Sequence, residues 1–566
     1  MLLSELLSSL TIVSVNPAAE IALTQNVDIK AVYSDDSALT DHSLMVCIPG
    51  LRYDPTDHLA KNSDKEVVYI VEHFADGADA ENAPPQILVE SAREAIARVA
   101  GNFYGNLQDQ MAITAITGSN GKTSTSMMVE KIHHYAGLKS NLLGTVRYGS
   151  GARQLAAKFT TPEPLQFQEL LSEFSTKGEK YLVMEVSSIG HEHKRDVNLA
   201  YDASALINLS REHLDLHGTM EAYFEAKAGI LEQTKSDGII VLNYADPYGR
   251  QALTSLHNTA QKITYFALET GKNLDVVADQ EIIASVDLIA HNIQLTKTST
   301  EFDLYLPRSL QLPRGIKIPA GQTHFCIANP GYHQVLNALA ATALCFIYDI
   351  KPEQAAAALG DFTAIERRFQ LIWQSGPVTD SVSDSVDQLP PQYQIVVYDD
   401  HFANITNIET SLKSLLGVPY NKLHIVYAIR GMRGDITNRE NIEALAVSFA
   451  GLRCDRVYAT KSSEVVDKDN LVLPEEEQAF VETMQAHHIP YCLYERLDEA
   501  IAAAVADCRP GDAMLLAGCQ GMDDGARIFF KQMLEATDLS PQQVMSVIKD
   551  RVCGWGDESP ADYGLN

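Results

Sequence analysis

Residues 115–126, Ala-Ile-Thr-Gly-Ser-Asn-Gly-Lys-Thr-Ser-Thr-Ser, constrain the fold more than any other stretch of the chain. An apolar run typical of a β-strand, residues 111–116, breaks there into a glycine-rich turn, and a helical pattern follows. Gly118 and Gly121 let the backbone turn tightly with its N–H groups facing inward, and a helix that begins at Lys122 adds the positive end of its dipole. The stretch therefore predicts a cradle for phosphate groups.

The side chains after the turn suit a nucleotide and its metal ion. Lys122 can reach a terminal phosphate, and the Thr123 hydroxyl is placed to bind Mg²⁺. The standard loop has a glycine five residues before Gly121, whereas this chain has Ile116 there. A Gly-Lys-Thr triplet also occurs at ordinary helix starts, so the neighbouring segments must decide between the two interpretations.

The length and the charge of the chain restrict its class. At 566 residues it is too long for one hydrophobic core, so several domains are expected. With 74 acidic against 44 basic residues the net charge is −30, which repels a polyanionic backbone over most of the surface. We therefore expect no nucleic acid partner, although a local basic pocket for a small phosphorylated ligand is compatible with this charge.

Cysteine usage and apolar runs indicate a cytoplasmic protein that is not inserted in a membrane. The 8 cysteines are scattered without a Cys-x-x-Cys pair, which favours reduced, buried thiols. Residues 1–10 lack a basic segment, contain Glu5 and space their leucines as on one face of a helix. They therefore predict an amphipathic helix rather than a signal peptide. No apolar run is long enough to span a bilayer.

The order of apolar runs predicts an α/β protein of three domains. Residues 1–108 alternate short strand-like runs with loops. Residues 109–365 alternate strand-like and helical runs, which is typical of a mainly parallel sheet with helices on both faces. Within this part, residues 270–328 favour an antiparallel excursion. A third α/β series follows the polar, proline-containing residues 377–392 and predicts a last domain over 366–566.

A second group of polar residues follows a strand beyond the loop. Glu185 ends an apolar strand, at the edge of an open sheet where ligands bind. A carboxylate across from a phosphate loop is what a Mg²⁺ ion between two phosphates requires. Glu185 is therefore predicted to be a metal ligand. The alternative is a capped strand end, with Ser187 and Ser188 starting a helix.

A zinc site is a further alternative. His213, Asp215 and His217 occupy alternate positions, and in a strand all three would point to one side as metal ligands. The segment 191–193, His-Glu-His, is close in sequence. A phosphate loop is foreign to zinc hydrolases, and residues 208–213 read as a strand end entering a loop or helix. The magnesium interpretation is therefore preferred.

Five ordered motifs make the interpretation specific. They are Gly118-Ser-Asn-Gly-Lys-Thr123, Thr160-Thr-Pro162, Glu185-Val-Ser-Ser188, Asn208-Leu-Ser-Arg-Glu-His-Leu-Asp-Leu-His-Gly218 and Ala226-Lys227. In order and spacing they resemble the Mur ligases, most closely the MurE branch, which adds the third amino acid of the peptidoglycan stem peptide. The resemblance covers essentially the whole chain and is strongest across residues 111–345.

The resemblance implies a fold and an activity. The expected architecture is a small N-terminal α/β domain for the UDP substrate, a central ATP-binding domain with the phosphate loop, and a C-terminal Rossmann-like domain for the incoming amino acid. The expected activity is that of a monomeric, cytoplasmic ligase that uses ATP and two Mg²⁺ ions. Its expected substrates are the UDP-muramoyl dipeptide and an amino acid.

The resemblance also implies roles for particular residues. The expected ATP-binding residues are Gly118, Asn120, Gly121, Lys122, Thr123, Ser124, Asn337 and Arg368. The expected substrate-binding residues are Thr160, Thr161, Ser187, Arg195 and Asp523. The expected metal ligands are Thr123, Glu185, His213 and Lys227, and the last three together with Lys122 are the expected catalytic residues.

Three of these residues have ordinary alternatives. Lys227 is expected to be carbamylated, that is N6-carboxylysine, because the added carboxylate would bind the second metal ion. A lysine near three glutamates on a helix is otherwise an i,i+4 salt-bridge partner. Arg195 offers a fork that suits a carboxylate or phosphate, or makes a surface ion pair. Asn337 is either near adenine or a polar residue on a core helix.

The C-terminal part departs from the family pattern. The family loop Gly-Gly-Asp-Arg-Asp-Lys-Gly-Lys-Arg-Pro corresponds to residues 430–439, Arg-Gly-Met-Arg-Gly-Asp-Ile-Thr-Asn-Arg. The Asp-Asn-Pro-Arg element that recognises meso-diaminopimelate should fall near residues 460–465, where its arginine is absent. The family's Gly-Lys-Gly-His-Glu is replaced by residues 518–523, Gly-Cys-Gln-Gly-Met-Asp. Because an arginine fork is the natural clamp for a free α-carboxylate, meso-diaminopimelate is disfavoured as the acceptor.

The sequence therefore predicts an ATP-dependent amide ligase. It would activate the side-chain carboxylate of D-glutamate in UDP-N-acetylmuramoyl-L-alanyl-D-glutamate as an acyl phosphate, which the amine of an amino acid then attacks. Two alternatives stay open. One is a Mur-like paralogue that joins a different amine or acid, and the other is a catalytically lapsed protein that binds nucleotide.

Overall fold

Three separate β-sheets organise the chain, as the α/β prediction requires. The computed structural model describes residues 1–50, 53–62, 64–80, 82–150, 153–272, 274, 280–362, 365–375 and 389–541. Within these residues the sheets have 5, 11 and 6 strands, and a small two-stranded sheet accompanies them. The predicted domain boundaries fall between the three main sheets and stay predictions. No helix in the described ranges is long and apolar enough to cross a membrane.

The N-terminal sheet has the order β1-β5-β4-β3-β2. Its strands are β1 (Ile12–Val15), β2 (Ala31–Tyr33), β3 (Ser43–Val46), β4 (Val67–Val71) and β5 (Gln86–Val89). Its helices are α1 (Leu3–Leu6), α2 (Pro17–Gln25) and α3 (Ala92–Tyr104). Only the β1–β5 pair is antiparallel. The helix predicted over residues 1–10 is a single turn, because Leu3, Leu6 and Leu7 already reach the core from α1 and its C-terminal cap.

The central sheet has the order β18-β15-β14-β13-β12-β11-β6-β10-β7-β8-β9. Its first strands are β6 (Ala112–Thr117), β7 (Ser140–Leu143), β8 (Arg147–Ser150), β9 (Arg153–Ala156), β10 (Tyr181–Glu185), β11 (Tyr201–Leu206) and β12 (Thr234–Asn243). The remaining strands of this region are β13 (Gln261–Ala267), β14 (Leu288–Leu295), β15 (Thr300–Leu306), β16 (Leu310–Gln311), β17 (Lys317–Ile318) and β18 (Gly321–Ile327). Between β14 and β7 in this order, each strand is parallel to the next.

Helices cover this sheet. They are α4 (Lys122–Tyr135), α5 (Pro164–Thr176), α6 (Ser188–Glu192), α7 (Leu214–His217), α8 (Met220–Glu232), α9 (Pro247–Ser255), α10 (Gln280–Ser285), α11 (Tyr332–Cys345) and α12 (Pro352–Leu359). Helices α4 and α11 bury Met128 and Leu339 in the main core, together with strand residues such as Val241. The predicted antiparallel excursion is confirmed, since β14, β15 and β18 pair antiparallel at one edge of the sheet.

The C-terminal sheet has the order β19-β20-β24-β21-β22-β23, and only β19–β20 is antiparallel. Its strands are β19 (Gln370–Gln374), β20 (Val396–Asp400), β21 (Leu423–Ala428), β22 (Val457–Thr460), β23 (Tyr491–Tyr494) and β24 (Ala513–Ala517). Its helices are α13 (Ile405–Leu416), α14 (Gly434–Phe449), α15 (Pro474–Ala486), α16 (Leu497–Asp507) and α17 (Gly525–Ala536). Most of the predicted polar segment 377–392 lies outside the described residues.

Candidate active site

The phosphate loop lies between the central strand β6 and the helix α4. Gly121, immediately before α4, has a φ of 86°, and a Cβ at this position would lie 2.6 Å from Asn337 Oδ1. A Cβ on Gly118 would lie 2.5 Å from Ile207 Cγ1. Both positions therefore require glycine, for left-handed backbone at Gly121 and for close packing at both. The loop thus has the strand–turn–helix geometry that the sequence predicted.

Lys122 lies over its own loop. Its Nζ donates hydrogen bonds to the carbonyl oxygens of Gly118 and Ser119, each at 2.9 Å. Burial lowers the pKa of Lys122, and the charges of Glu212 and Glu185 oppose that shift. The cation is therefore held within the loop, among the groups that would surround a terminal phosphate.

Glu185 lies at the end of β10, directly beside β6, with its Cα opposite Ile116. The side chain is fully buried and accepts a hydrogen bond of 3.0 Å from Thr123 Oγ1. Thr145 also donates to this carboxylate, through its backbone N at 3.1 Å and its hydroxyl at 2.9 Å. A hydroxyl and a carboxylate side by side at a phosphate loop are oxygen donors of the kind Mg²⁺ takes, so the pair fits a magnesium ion.

Lys227 and His213 both lie near the ring of Tyr223. The Lys227 side chain is 1% exposed, and its Nζ donates to the Gly118 carbonyl at 3.0 Å and lies 4.7 Å from the Tyr223 ring centroid. The His213 ring lies 6.2 Å from the same ring. Burial, followed by the charge of Lys122, lowers the pKa of Lys227 well below its usual value. In the described part of the chain Lys227 makes no ion pair, which contradicts the helix salt-bridge alternative.

The predicted substrate-binding residues of the central domain lie together. Ser187 N donates to Thr161 Oγ1 at 3.0 Å, and Thr160 Oγ1 lies 3.2 Å from Thr145 Oγ1. Arg195 donates to the Thr161 carbonyl at 3.1 Å and pairs with Glu163 at 2.6 Å. Arg195 therefore makes an ion pair, as its alternative role predicted. It also faces the cleft described in the next paragraph.

A cleft of about 650 Å³ separates the phosphate loop from the C-terminal domain. The predicted residues that line it are Asn120, Gly121, Lys122, Thr123, Ser124, Thr160, Ser187, Arg195, His213, Asn337 and Arg368. Gly118, Thr161, Glu185 and Lys227 lie close to it through the contacts given above. From the C-terminal domain, His401 and the start of α13 face the loop. Burial and the charges of nearby arginines lower the pKa of His401 to about 3, so this imidazole is neutral.

Hydrogen bonds from two asparagines of the C-terminal domain cross this cleft. Asn407 Nδ2 donates to Asn120 Oδ1 at 2.6 Å, and Asn404 Nδ2 donates to Glu212 Oε1 at 3.1 Å. Asn404 is also the N-cap of α13, where its side chain accepts from Asn407 N. Neither of these asparagines nor Thr145 was predicted from the sequence to be a site residue. The signals that could have found them are an Asn immediately before a helical pattern and a Thr just after a strand.

Asp523 lies apart from the other predicted site residues, and the structure contradicts the zinc alternative. Asp523 forms an ion pair with Arg367 at the carboxyl edge of the C-terminal sheet and is 61% exposed. The zinc alternative is wrong, because residues 214–217 form a helical turn instead of a strand, and His217 Nε2 contacts Ser188 Oγ at 3.0 Å. Across the described ranges, no group of three or more His, Cys, Asp or Glu side chains could hold a metal ion by itself.

The fold and the site define a class: an ATP-dependent ligase, in which a phosphate-loop domain and a second α/β domain face each other across a cleft. The profile of the Mur ligase middle domain matches residues 116–345, and that of the Mur ligase glutamate ligase domain matches residues 388–520. The chain belongs to the Mur ligase family.

Curated relatives and solved structures agree with this assignment. The UDP-N-acetylmuramoyl-L-alanyl-D-glutamate–2,6-diaminopimelate ligase of Bacillus licheniformis is 28% identical over 87% of this chain and 90% of its own length. The ligase of the same name from Geobacillus kaustophilus is 27% identical over 90% and 93%. The solved structure of MurF from Acinetobacter baumannii has a TM-score of 0.58 at 17% identity and covers 93% of this chain and all of its own, which supports the fold.

Proposed function

We propose that the chain joins an amino acid to UDP-N-acetylmuramoyl-L-alanyl-D-glutamate in peptidoglycan synthesis. The γ-phosphoryl group of ATP passes to the side-chain carboxylate of D-glutamate, which gives an acyl phosphate and ADP. The amine of the acceptor then attacks the acyl carbon, loses a proton and releases phosphate as the amide bond forms. The relatives named for this first substrate support the proposal.

The observation that carries the proposal is the contact between Thr123 and Glu185 beside the loop. It places a hydroxyl and a carboxylate 3.0 Å apart, next to backbone N–H groups and Lys122. These two side chains would hold one Mg²⁺ ion, which when bound neutralises charge on the phosphates. Lys122 would turn from its loop carbonyls to the transferring phosphoryl group, where a fixed cation stabilises the charge of the transition state.

Lys227 and His213 would hold a second Mg²⁺ ion. The lowered pKa of Lys227 supports carbamylation, because only the neutral amine adds to carbon dioxide. The resulting carbamate would carry a negative charge beside Lys122. The attraction between the two charges would offset the cost of burying the carbamate. His213 approaches the same Tyr223 ring and is 40% exposed on its side chain, so it can turn toward a ligand.

Thr160, Thr161, Ser187 and Arg195 would bind the muramoyl peptide at the mouth of the cleft. Their mutual hydrogen bonds fix this segment against the end of β10, where Glu185 stands. Asn337 and Arg368 would contact the nucleotide. The monomeric state, the cytoplasmic location and the role of Asp523 stay predictions within the same proposal.

The identity of the acceptor amino acid has to be determined by assay. Near residues 460–465, where the family's Asp-Asn-Pro-Arg element should fall, Lys461 is paired with Glu477 at 3.0 Å and with Glu495 at 2.5 Å. This lysine is therefore neutralised and leaves no arginine fork at that place. The relatives named for 2,6-diaminopimelate keep that acceptor in the panel to be tested.

The decisive experiment is phosphate release with ATP, the UDP-muramoyl dipeptide and a panel of amino acids that includes meso-diaminopimelate and L-lysine. We expect release only with both substrates, and a loss of about 10³-fold in Lys122→Ala. Lys131→Ala is the matched control, since Lys131 lies on the same helix but pairs with Asp361 at 2.8 Å. Unchanged rates in Lys122→Ala would refute this mechanism. A wild-type protein that binds ATP but releases no phosphate with any acceptor would establish the lapsed alternative.

A further inference from the structure

A second cavity, of about 380 Å³, lies between α4, β8 and the C-terminal end of α12. Its described lining residues do not line the cleft at the phosphate loop. Glu130, in its wall, lies about two turns beyond Lys122 on α4, which is about 12 Å along the helix axis. The cavity is therefore a compartment of its own in the central domain. Its volume is near the lower end of the range for small-molecule sites, which suits a small ligand.

The wall of this cavity contains a buried ion pair that is only partly hydrogen-bonded. Arg147 Nη2 donates to Glu130 Oε2 at 2.5 Å, and the two residues are 9% and 5% exposed. Glu130 Oε1 and Arg147 Nε are also buried, and neither has a hydrogen-bond partner in the described part of the chain. A well-made arginine–carboxylate pair has two parallel hydrogen bonds. Because unpartnered atoms of a buried charge are costly, these two atoms indicate that a partner is missing.

The charges around the cavity cancel. Besides the pair of Glu130 and Arg147, Lys131 Nζ lies 2.8 Å from Asp361 Oδ1. The lysine, arginine and carboxylate charges of the described lining therefore sum to zero, in a chain whose net charge is −30. A simple anion or cation that separated a buried pair would leave one charge without a partner, whereas a zwitterion supplies a partner to each. The cavity therefore favours a ligand that carries both charges and is neutral overall.

Apolar side chains form another part of the wall. Met127 on α4, Ala358 on α12 and Phe362 after α12 are all buried. These side chains offer no hydrogen bonds, so the part of a ligand that faces them must be apolar. A small zwitterion with an apolar end has the composition of an α-amino acid.

We propose that this cavity binds a free α-amino acid with an apolar side chain, at a site separate from the ligation site. The ammonium group donates to Glu130, and the carboxylate accepts from Arg147, so that both atoms without partners gain one. Because these atoms are closed off from solvent, binding turns the Glu130 carboxylate and the Arg147 guanidinium toward the cavity that their side chains line. The proposal concerns binding alone and does not depend on the ligation reaction.

The test is amide hydrogen exchange of the full chain, titrated with L-leucine, L-leucinamide and N-acetyl-L-leucine. The three compounds share one side chain, but the first is a zwitterion, the second a cation and the third an anion. Peptides from α4, β8 and α12 report on this cavity, and peptides from the C-terminal domain report on the acceptor side of the cleft. L-Alanine and L-phenylalanine are titrated as well, to vary the size of the apolar part.

Two variants change the cavity in different ways. Ala358→Leu fills it and leaves Glu130 and Arg147 in place. Its matched control is Ala357→Leu, since Ala357 is the preceding residue of α12 and is exposed. Glu130→Gln removes the charge that the ammonium group needs, but it also leaves Arg147 buried without a counter-ion. Thermal unfolding therefore checks that each variant is folded, and Ala358→Leu keeps the test decisive if Glu130→Gln is not.

We expect L-leucine to slow exchange in α4, β8 and α12 with a saturable dependence on concentration, and its amide and N-acetyl forms to bind at least about 10-fold more weakly. Ala358→Leu and Glu130→Gln should raise the half-saturating concentration at least about 10-fold, and Ala357→Leu should not change it. The proposal is overturned if none of the three amino acids slows exchange there, or if the amide or the N-acetyl form binds as well as the zwitterion. Protection that survives in Ala358→Leu, or that is confined to the C-terminal domain, would also overturn it.

Discussion

Replacing Lys227 by methionine is expected to stabilise the central domain while it abolishes ligation. The lysine is 1% exposed, and burial lowers the pKa of its amine well below the value of about 10.4 in an unfolded chain. Folding therefore expels a proton from this group at every pH between the two pKa values. Methionine has nearly the same length and shape but no charge to bury, so it removes that cost.

The sign of the pH dependence follows from the direction of the shift. Because the unfolded state binds more protons than the native state, stability rises with pH across the window between the two pKa values. The cost of burying Lys227 is therefore fully present below the folded-state pKa and disappears as the pH passes 10.4. The advantage of the methionine variant should be larger at pH 6 than at pH 10.

The interactions lost with the amine are small. The Gly118 carbonyl, which accepts from Lys227 at 3.0 Å, also accepts from Lys122 at 2.9 Å, so it keeps a partner. The other contacts are a long hydrogen bond of 3.4 Å to Thr117 Oγ1 and the approach of Nζ to the Tyr223 ring at 4.7 Å. Losing them offsets about 0.5–1 kcal/mol. We expect a net gain of about 1–2 kcal/mol in the free energy of unfolding near pH 7.

The assay must report on the central domain alone. Of the 2 tryptophans, Trp373 lies in the C-terminal sheet, so tryptophan fluorescence is unsuitable. Amide hydrogen exchange of peptides from α8 and β6, in carbon dioxide-free buffer at pH 6 and pH 8, measures the local free energy of opening. A variant that is less stable than the wild type, by an amount that grows as the pH falls, would refute this account of Lys227. Added bicarbonate should slow exchange in the wild type only.

Three other perturbations test the site. Glu185→Gln should lower kcat at least about 100-fold and raise the Mg²⁺ concentration needed for half-maximal rate, and an unchanged Mg²⁺ profile would contradict its role as a ligand. Gly121→Ala should raise the KM of ATP more than about 10-fold, because its φ of 86° and a Cβ 2.6 Å from Asn337 Oδ1 both oppose a side chain. Asn407→Ala removes the interdomain hydrogen bond to Asn120 and should lower kcat about 3- to 10-fold with little effect on nucleotide binding measured by calorimetry. Equal losses in kcat and in nucleotide affinity would show that Asn407 acts on the loop itself.

The phosphate loop and Glu185 could be predicted because local sequence determines both. A strand followed by a glycine-rich turn and a helix has few conformations other than a phosphate loop. A carboxylate at the end of a neighbouring parallel strand must lie at the same edge of the sheet. The structure places Glu185 beside the loop for this reason. The five-residue helix α6 after it begins at Ser188 with Ser187 as its cap, so the alternative of a capped helix is also present. The two interpretations of this segment are compatible.

Other features depend on contacts that sequence spacing does not reveal. The sequence places Lys227 on the same helix as Glu221 and Glu225, and only the packing of α8 against β11 turns the lysine toward Gly118. The adjacent Arg367 and Arg368 cannot be told apart by pattern. In the structure Arg367 and Phe369 have φ of 55° and 52°, and this backbone sends Arg367 to Asp399 while Arg368 lines the cleft. The short helix α1 was overpredicted because evenly spaced leucines satisfy the core within one turn.

The ligands of the cleft explain why the family motifs are retained on its ATP side and altered on its acceptor side. On the ATP side, the loop must neutralise the same phosphates in every ligase of this class. Because ATP is common to all of them, the cations and the carboxylate around the loop vary little. On the acceptor side, only the carboxylate and the amine of an amino acid are constant, and several loops can supply a cation to the same point. The loop of Arg430 is locked by Glu476 and Asn438, so the backbone at this strand end is held in place although its sequence departs from the family pattern. Divergence of the C-terminal motifs is therefore compatible with retained ligation.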